Sequence, residues 1–253
     1  MKYPNANFTG MDQVTDNAIR DKIYEYSPKG AKLARLEKVA SLAELIDFCI
    51  EDYRAWADAV LMGAGAYLKI GKFPAEIAAA KAYVKEAVGK YLAGTPFRSA
   101  DEYNSWHKTI CLNLSDRTKF FGSYADYRST AKDKFKNTLG FTVGNAQKFL
   151  NMLMKDLYAC FSQNQKLLYG YEDYFKYCHM PLDSYILRFV DDIRYRERIK
   201  KARRPYTWGG LSDYDAYMDE QNDIRNYVEK YNPEVTVLQT EFVVWQIYNN
   251  NKQ

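Results

Sequence analysis

The sequence predicts a mainly α-helical, multi-helix fold. Three observations carry that expectation. Apolar residues recur at +3/+4 spacing in five separate segments, the period of a helix with one buried face. Strand-like alternation is almost absent. Ser41 and Ser99 each stand three residues ahead of a glutamate, just before an apolar run, which is the pattern of a capped helix start.

The elements follow in order. Ser41-Leu42-Ala43-Glu44 opens a helix whose buried face reads Leu42, Ile46, Cys49, Tyr53 and Trp56. The stretch Lys32–Val39 before it alternates loosely and is a strand candidate. Phe73-Pro74 opens an Ala- and Lys-rich helix to about Leu92; proline suits the first helical position, where its missing N–H would be unpaired anyway. Ser99-Ala100-Asp101-Glu102 starts the next, followed by Tyr103, Trp106 and Ile110. A polar helix is expected near 127–139. After a turn at 140–144, Val143, Ala146, Leu150, Leu153 and Leu157 mark an apolar stripe. Pro181-Leu182-Asp183 stops one segment, and a helix over 185–201 runs on towards Pro205. Segments 212–231 and 233–248 complete the set, the last with Val235, Leu238, Phe242 and Trp245 as its stripe. Nine to ten helices result. No low-complexity linker or repeat divides them, so 1–253 reads as one helical unit, with 1–115 and 116–253 as candidate halves around a cleft.

Composition narrows the function. The chain has 253 residues, 47% hydrophobic and 27% charged, an ordinary globular mixture that excludes disorder as the main state. The uncharged stretch 59–68 is ten residues and none exceeds eleven, well short of the roughly 20 that a membrane helix needs, so no membrane partner is expected. The start MKYPNANFTG lacks a signal peptide's apolar core, and four scattered cysteines without a CxxC read as reduced thiols. A cytoplasmic location follows as an expectation. Two histidines, His107 and His179, exclude a multi-histidine metal site. P-loop, Rossmann, HExxH and nucleophile-elbow motifs are missing, so neither metal nor cofactor is expected. Many of the 23 tyrosines, apolar bodies with polar tips, are expected at helix boundaries or in a wet cleft. His107, on an otherwise apolar helix, reads as a hydrogen-bonded core histidine.

Four features bear on chemistry. The turn Gly140-Phe141-Thr142-Val143-Gly144 precedes a helix N-terminus, so the amides of Val143, Gly144 and Asn145 could hold a phosphate; the alternative is an ordinary helical corner. On the helix that follows, Gly144, Lys148, Asn151 and Lys155 lie at i, i+4, i+7 and i+11, opposite the apolar stripe. Lys148 therefore faces away from the core, either solvated or turned to a ligand. Asp183 is a natural N-cap, which would hold its carboxylate fixed and ionised. Finally, Arg194, Arg196, Arg198, Lys200, Lys201, Arg203 and Arg204 fall within eleven residues against the single acid Glu197. Seven cations exceed the half charge of a helix dipole, so they face either nucleic-acid phosphates or acids of this chain, Asp213, Asp215 and Asp219 being candidates. Trp208 beside them either stacks on a base or belongs to the core.

Together, Val143-Gly144, Gln147-Lys148 and Pro181-Leu182-Asp183 resemble the helix-hairpin-helix DNA glycosylase superfamily, above all its 8-oxoguanine branch. That family carries a hairpin ending in Val-Gly, a lysine on the second hairpin helix and a later Pro-x-Asp. Here the lysine and aspartate are 183 − 148 = 35 residues apart, and the resemblance covers roughly 135–194. The family hairpin reads close to Leu-Pro-Gly-Val-Gly, where this chain has Gly140-Phe141-Thr142-Val143-Gly144. The family lysine stands two residues after the last hairpin glycine, whereas Lys148 stands four after. The chain is also similar to an uncharacterised bacterial set sharing Ala-Gln-Lys-x-x-Asn-Met and His-x-Pro-x-Asp, which assigns no activity.

The glycosylase resemblance implies a DNA-repair hydrolase. Lys148 would attack the sugar C1′ of a flipped nucleotide, Asp183 would stabilise the developing positive charge, and the hairpin amides would hold the backbone. Asn151, Lys155, the basic run and Trp208 would complete a DNA or RNA surface. On this reading the tips of Lys148 and Asp183 lie within roughly 10 Å, the scale of one flipped sugar. Two other classes stay open: a non-catalytic helical nucleic-acid-binding protein, and a protein-interaction subunit, for instance of a bacterial defence or mobile-element system.

Overall fold

The computed structural model describes residues 7–53, 55–60, 72–130, 140–202 and 204–250. Among them every regular element is helical and no strand occurs. The chain begins with α1 (Asp16–Tyr26), α2 (Ala31–Leu36), α3 (Leu42–Glu51) and α4 (Ala55–Val60). It continues with α5 (Pro74–Ala93), α6 (Ala100–Ser115) and α7 (Gly122–Thr130). Then come α8 (Val143–Gln163), the short α9 (Glu172–Phe175), α10 (Ser184–Arg196), α11 (Tyr214–Tyr231) and α12 (Val237–Asn250). The strand candidate at Lys32–Val39 is thus corrected to helix α2. The second part of the polar helix expected over 127–139 lies outside the described residues. Among those described, no helix is long and apolar enough to cross a membrane.

Local chemistry explains most helix starts. Ser41 Oγ accepts from the Glu44 amide and Ser99 Oγ from the Glu102 amide, both at 3.2 Å. The returning glutamates reach one residue further than a strict capping box: they accept from the Ala40 and Arg98 amides, just ahead of each cap. The reciprocal box forms instead at Thr142, whose hydroxyl accepts from the Asn145 amide while Asn145 Oδ1 accepts from the Thr142 amide. Pro74 is the first residue of α5.

The fold is organised around α8. It packs against α1, α3, α4 and α6 on the N-terminal side and against α11 on the other. Every residue from Val143 to Phe161 is buried. The expectation of one apolar and one solvent-facing side is therefore corrected: the polar side is covered too. Four tyrosines depart from the expected boundary or wet-cleft setting, because Tyr103, Tyr124, Tyr217 and Tyr248 are all fully buried. A phenol fits a dry core when its hydroxyl is bonded, as in the Tyr248–Asp192 contact.

Candidate functional site

Helix α8 carries six buried polar residues, Asn145, Gln147, Lys148, Asn151, Lys155 and Asp156. One turn in, Lys148 Nζ lies 2.8 Å from Asp183 Oδ2, and the two side chains are 7% and 12% exposed. The expected convergence within about 10 Å is observed, as a direct ion pair. Asp183 also caps α10: its Oδ1 accepts from the Tyr185 and Ile186 amides at 2.8 and 3.0 Å. Trp245 Nε1 donates to Oδ2 at 3.0 Å, and the Trp208 ring lies 5.5 Å from the ammonium. Burial opposes ionisation of Asp183, but the Lys148 charge and the hydrogen bonds from Lys148, Ile186 and Trp245 outweigh it, so its carboxyl is held below its usual range.

The segment carrying Asp183 is positioned by two glutamines. Gln147 Nε2 donates to the Leu182 carbonyl, and its Oε1 accepts from the Leu182 amide. Gln221, on α11, treats Met180 in the same way. Side-chain amides thus do for Met180 and Leu182 what a neighbouring strand would do, and satisfy the backbone N–H and C=O of both inside the core. This gives a structural reason for the two short motifs to occur together: Gln147 of the first grips the backbone of the second.

Two turns along α8, Asn151 joins both histidines in one chain of bonds. His107 donates Nε2–H to Asn151 Oδ1 at 2.9 Å and accepts from the Tyr214 hydroxyl at Nδ1. Asn151 Nδ2 donates to the Tyr217 hydroxyl, which donates to His179 Nδ1; His179 Nε2–H ends on Asn104 Oδ1. Burial pushes the His107 pKa down to about 3 and that of His179 well below its usual value, so both are neutral at pH 7. His107 is the hydrogen-bonded core histidine that the sequence suggested. Asn151 is wholly buried and so presents nothing to a nucleic acid.

Lys155 is buried as well. It pairs with Glu241 at 2.5 Å and sits over the rings of Tyr26, Phe242 and Trp245. Its neighbour Asp156 accepts from the Tyr26 hydroxyl at 2.5 Å. Burial raises the carboxyl pKa of Asp156 and, against the pull of Lys155, that of Glu241. The expectation of Lys155 on a ligand surface is thus corrected to an internal ion pair. Sequence reasoning missed Gln147, Gln221, Glu241 and Asp156 as partners. Only Gln147 carried a signal, its place inside the Ala-Gln-Lys motif.

Two of the three hairpin amides, those of Gly144 and Asn145, are occupied. The Gly144 amide donates to the Leu211 carbonyl at 2.8 Å, the Asn145 amide to Thr142 Oγ1, and Thr142 Oγ1 to the Gly209 carbonyl. The backbone of 208–211 lies over this helix start, where a phosphate was expected. Val143 and Asn145 are 1% and 3% exposed. Trp208 is a core residue, 5% exposed, which settles the open choice against an exposed stacking platform.

Three cations of the basic run are ion-paired within the chain. Arg194 pairs with Glu220 and Asp223, Lys201 with Asp219 and Asp223, and Arg204 with Asp191 and Glu220. Arg196 donates to the carbonyls of Phe8 and Thr9. Of the three acids expected as partners, Asp219 takes part, whereas Asp213 caps α11 and Asp215 pairs with Lys108. Arg198 and Lys200 are exposed, and Arg203 lies outside the described residues. For Arg194, Lys201 and Arg204 the expected phosphate surface is therefore corrected: α11 supplies most of their counter-charge, because acids along one side of it face the end of α10. Glu220→Gln, which keeps the shape and removes the charge shared by Arg194 and Arg204, is expected to cost about 1.5–3 kcal/mol in urea unfolding. Lys200→Ala should leave the midpoint where it is. Equal midpoints for Glu220→Gln and the parent would refute the internal pairing.

Compared with family models, curated proteins and solved structures, the chain matches none of them.

Proposed function

We propose that the chain acts on nucleic acid as a base-excising enzyme resembling the DNA glycosylases, with Lys148 as the amine nucleophile and Asp183 as its carboxylate partner. One observation carries the reading: residues 35 apart in sequence, singled out by motif, place an amine 2.8 Å from a carboxylate. The carboxylate is fixed by two backbone amides and an indole, so it is aimed before any substrate arrives.

The chemistry suits that arrangement. Lys148 Nζ passes its proton to the departing base and, as a free amine, bonds to C1′ of an extruded nucleotide. The C1′–N bond breaks, and its electron pair leaves with the base, which keeps that proton. Asp183, kept ionised, stabilises the positive charge that develops on the sugar. The new nitrogen then gives a proton to the ring oxygen as the C1′–O4′ bond opens, which leaves a protonated imine to Lys148. Access to the pair requires the cover around Trp208 to move, since both side chains are nearly closed off.

A second reading rests on that same closure: a buried, fully bonded pair can be a structural tie, and the chain then serves as an interaction subunit. Reduction with borohydride separates the two, because only an imine is trapped. A duplex containing 8-oxoguanine and one containing an abasic site are incubated with the full chain and borohydride. The expected result is a covalent protein–DNA adduct with the parent and none with Lys148→Arg, which keeps the ion pair but offers no nucleophilic amine. No adduct with either duplex, or an equal yield with Lys148→Arg, would overturn the proposal.

A further inference from the structure

We propose that a second site, remote from Lys148, binds a small organic cation: an ammonium or guanidinium carried on a compact apolar body. The site is a cavity of about 450 Å³ between α1, the C-terminal end of α8, the start of α9 and the loop into α12. Its volume falls in the range of small-molecule sites.

Two independent observations point to a ligand. The first is an unpartnered phenol. Tyr171 lines the cavity and is 95% buried, yet its hydroxyl has no hydrogen-bond partner among the described residues. Tyr158, equally buried beside it, accepts from Gln239 Nε2 and keeps a second lone pair for a donor in the cavity. Both phenols line the one cavity, so the donors of a ligand seated there can reach their oxygens.

The second observation is charge. Asp16, Glu172 and Glu234 line the same cavity with one cation, Arg20. None of the four makes an ion pair among the described residues. The sum is 1 − 3 = −2. Asp16 stands in the first turn of α1, where the helix dipole favours its ionised form. An anion would meet net repulsion here. A cation meets carboxylates at the rim and, between them, tyrosine ring faces whose quadrupole attracts it. The phenol oxygens then accept from its N–H groups, and the apolar walls, Ile19, Ile23 and Val235, take its hydrocarbon body.

Calorimetric titration of the full chain with benzylamine, and separately with spermidine, at low ionic strength tests this. Saturable binding of one of these amines at one site per chain is expected. Glu172→Gln should weaken it at least fivefold, and so should Tyr171→Phe, while Tyr171→Phe melts at or above the parent temperature because no bond inside the protein is lost. Absence of saturable binding for both amines overturns the proposal. So does binding unchanged in Glu172→Gln, which alters an exposed side chain and keeps the fold. Benzoate binding as tightly as benzylamine would overturn the charge assignment and the proposal with it.

Discussion

Gly144→Ala is expected to abolish the native fold. A Cβ built on Gly144 falls 1.7 Å from the Trp208 carbonyl oxygen and 2.9 Å from its carbon. Both are backbone atoms, so no side-chain rotation relieves the overlap. Either the start of α8 or the 208–211 segment must move. That movement would break the Gly144–Leu211 amide bond and the Thr142–Gly209 bond, and would uncover the Lys148–Asp183 pair. Alanine's better helix propensity returns only about 1 kcal/mol. The loss should exceed about 4–5 kcal/mol, the range reserved for a few named defects, of which backbone overlap in a core is one. Gly209→Ala is the control: its Cβ would meet nothing within 4 Å. Urea unfolding followed by circular dichroism should show no cooperative transition for the first variant and a near-parental one for the second. A cooperative Gly144→Ala protein with the parental midpoint would show that the close approach does not exist.

Asp183→Ala is expected to cost nearly as much, for a different reason. It removes two amide acceptors from the start of α10, the acceptor of the Trp245 indole and the only carboxylate paired with Lys148 among the described residues. Loss of the cap is worth about 1 kcal/mol, and a buried charge left without its partner about 3–5 kcal/mol. Lys148→Met in the same chain should restore part of the loss, because no orphaned ammonium remains. A double variant that is less stable than Asp183→Ala alone would contradict a direct pair. The acid dependence has a definite sign. Folding lowers the Asp183 pKa, so its stabilisation is fully present above its ordinary value of 3.8 and fades as the pH falls through the lower folded value. The stability difference between the parent and Asp183→Ala should therefore shrink on acidification below that point.

These two positions show what was legible in the residues. Asp183 was legible as a cap, because capping involves only the amides two and three residues on. Its pairing with Lys148 became an expectation only through the motif resemblance. Gly144 is legible as part of a turn whose amides approach an acceptor. What approaches it, however, is the chain's own Trp208 carbonyl, 64 residues further on, in the place where a phosphate was expected. The basic run was legible as an excess of positive charge. Which acids would answer it was not, since Glu220 and Asp223 reach Arg194 only when α11 folds back along α10.

The sequence by itself determined the helical class, the helix starts at Leu42, Pro74, Ala100 and Ser184 and the apolar stripe of α8, because each depends on neighbours within about four residues. Only the tertiary structure decided that the opposite side of α8 is interior. Lys148 and Lys155 on that side look like solvent-facing lysines in any local window. They are buried because Asp183 and Glu241, distant in sequence, are brought within 3 Å of them by α10 and α12. A lysine enters a low-dielectric core only when its counter-charge arrives with it, and that pairing is a long-range property which no periodicity along the chain encodes.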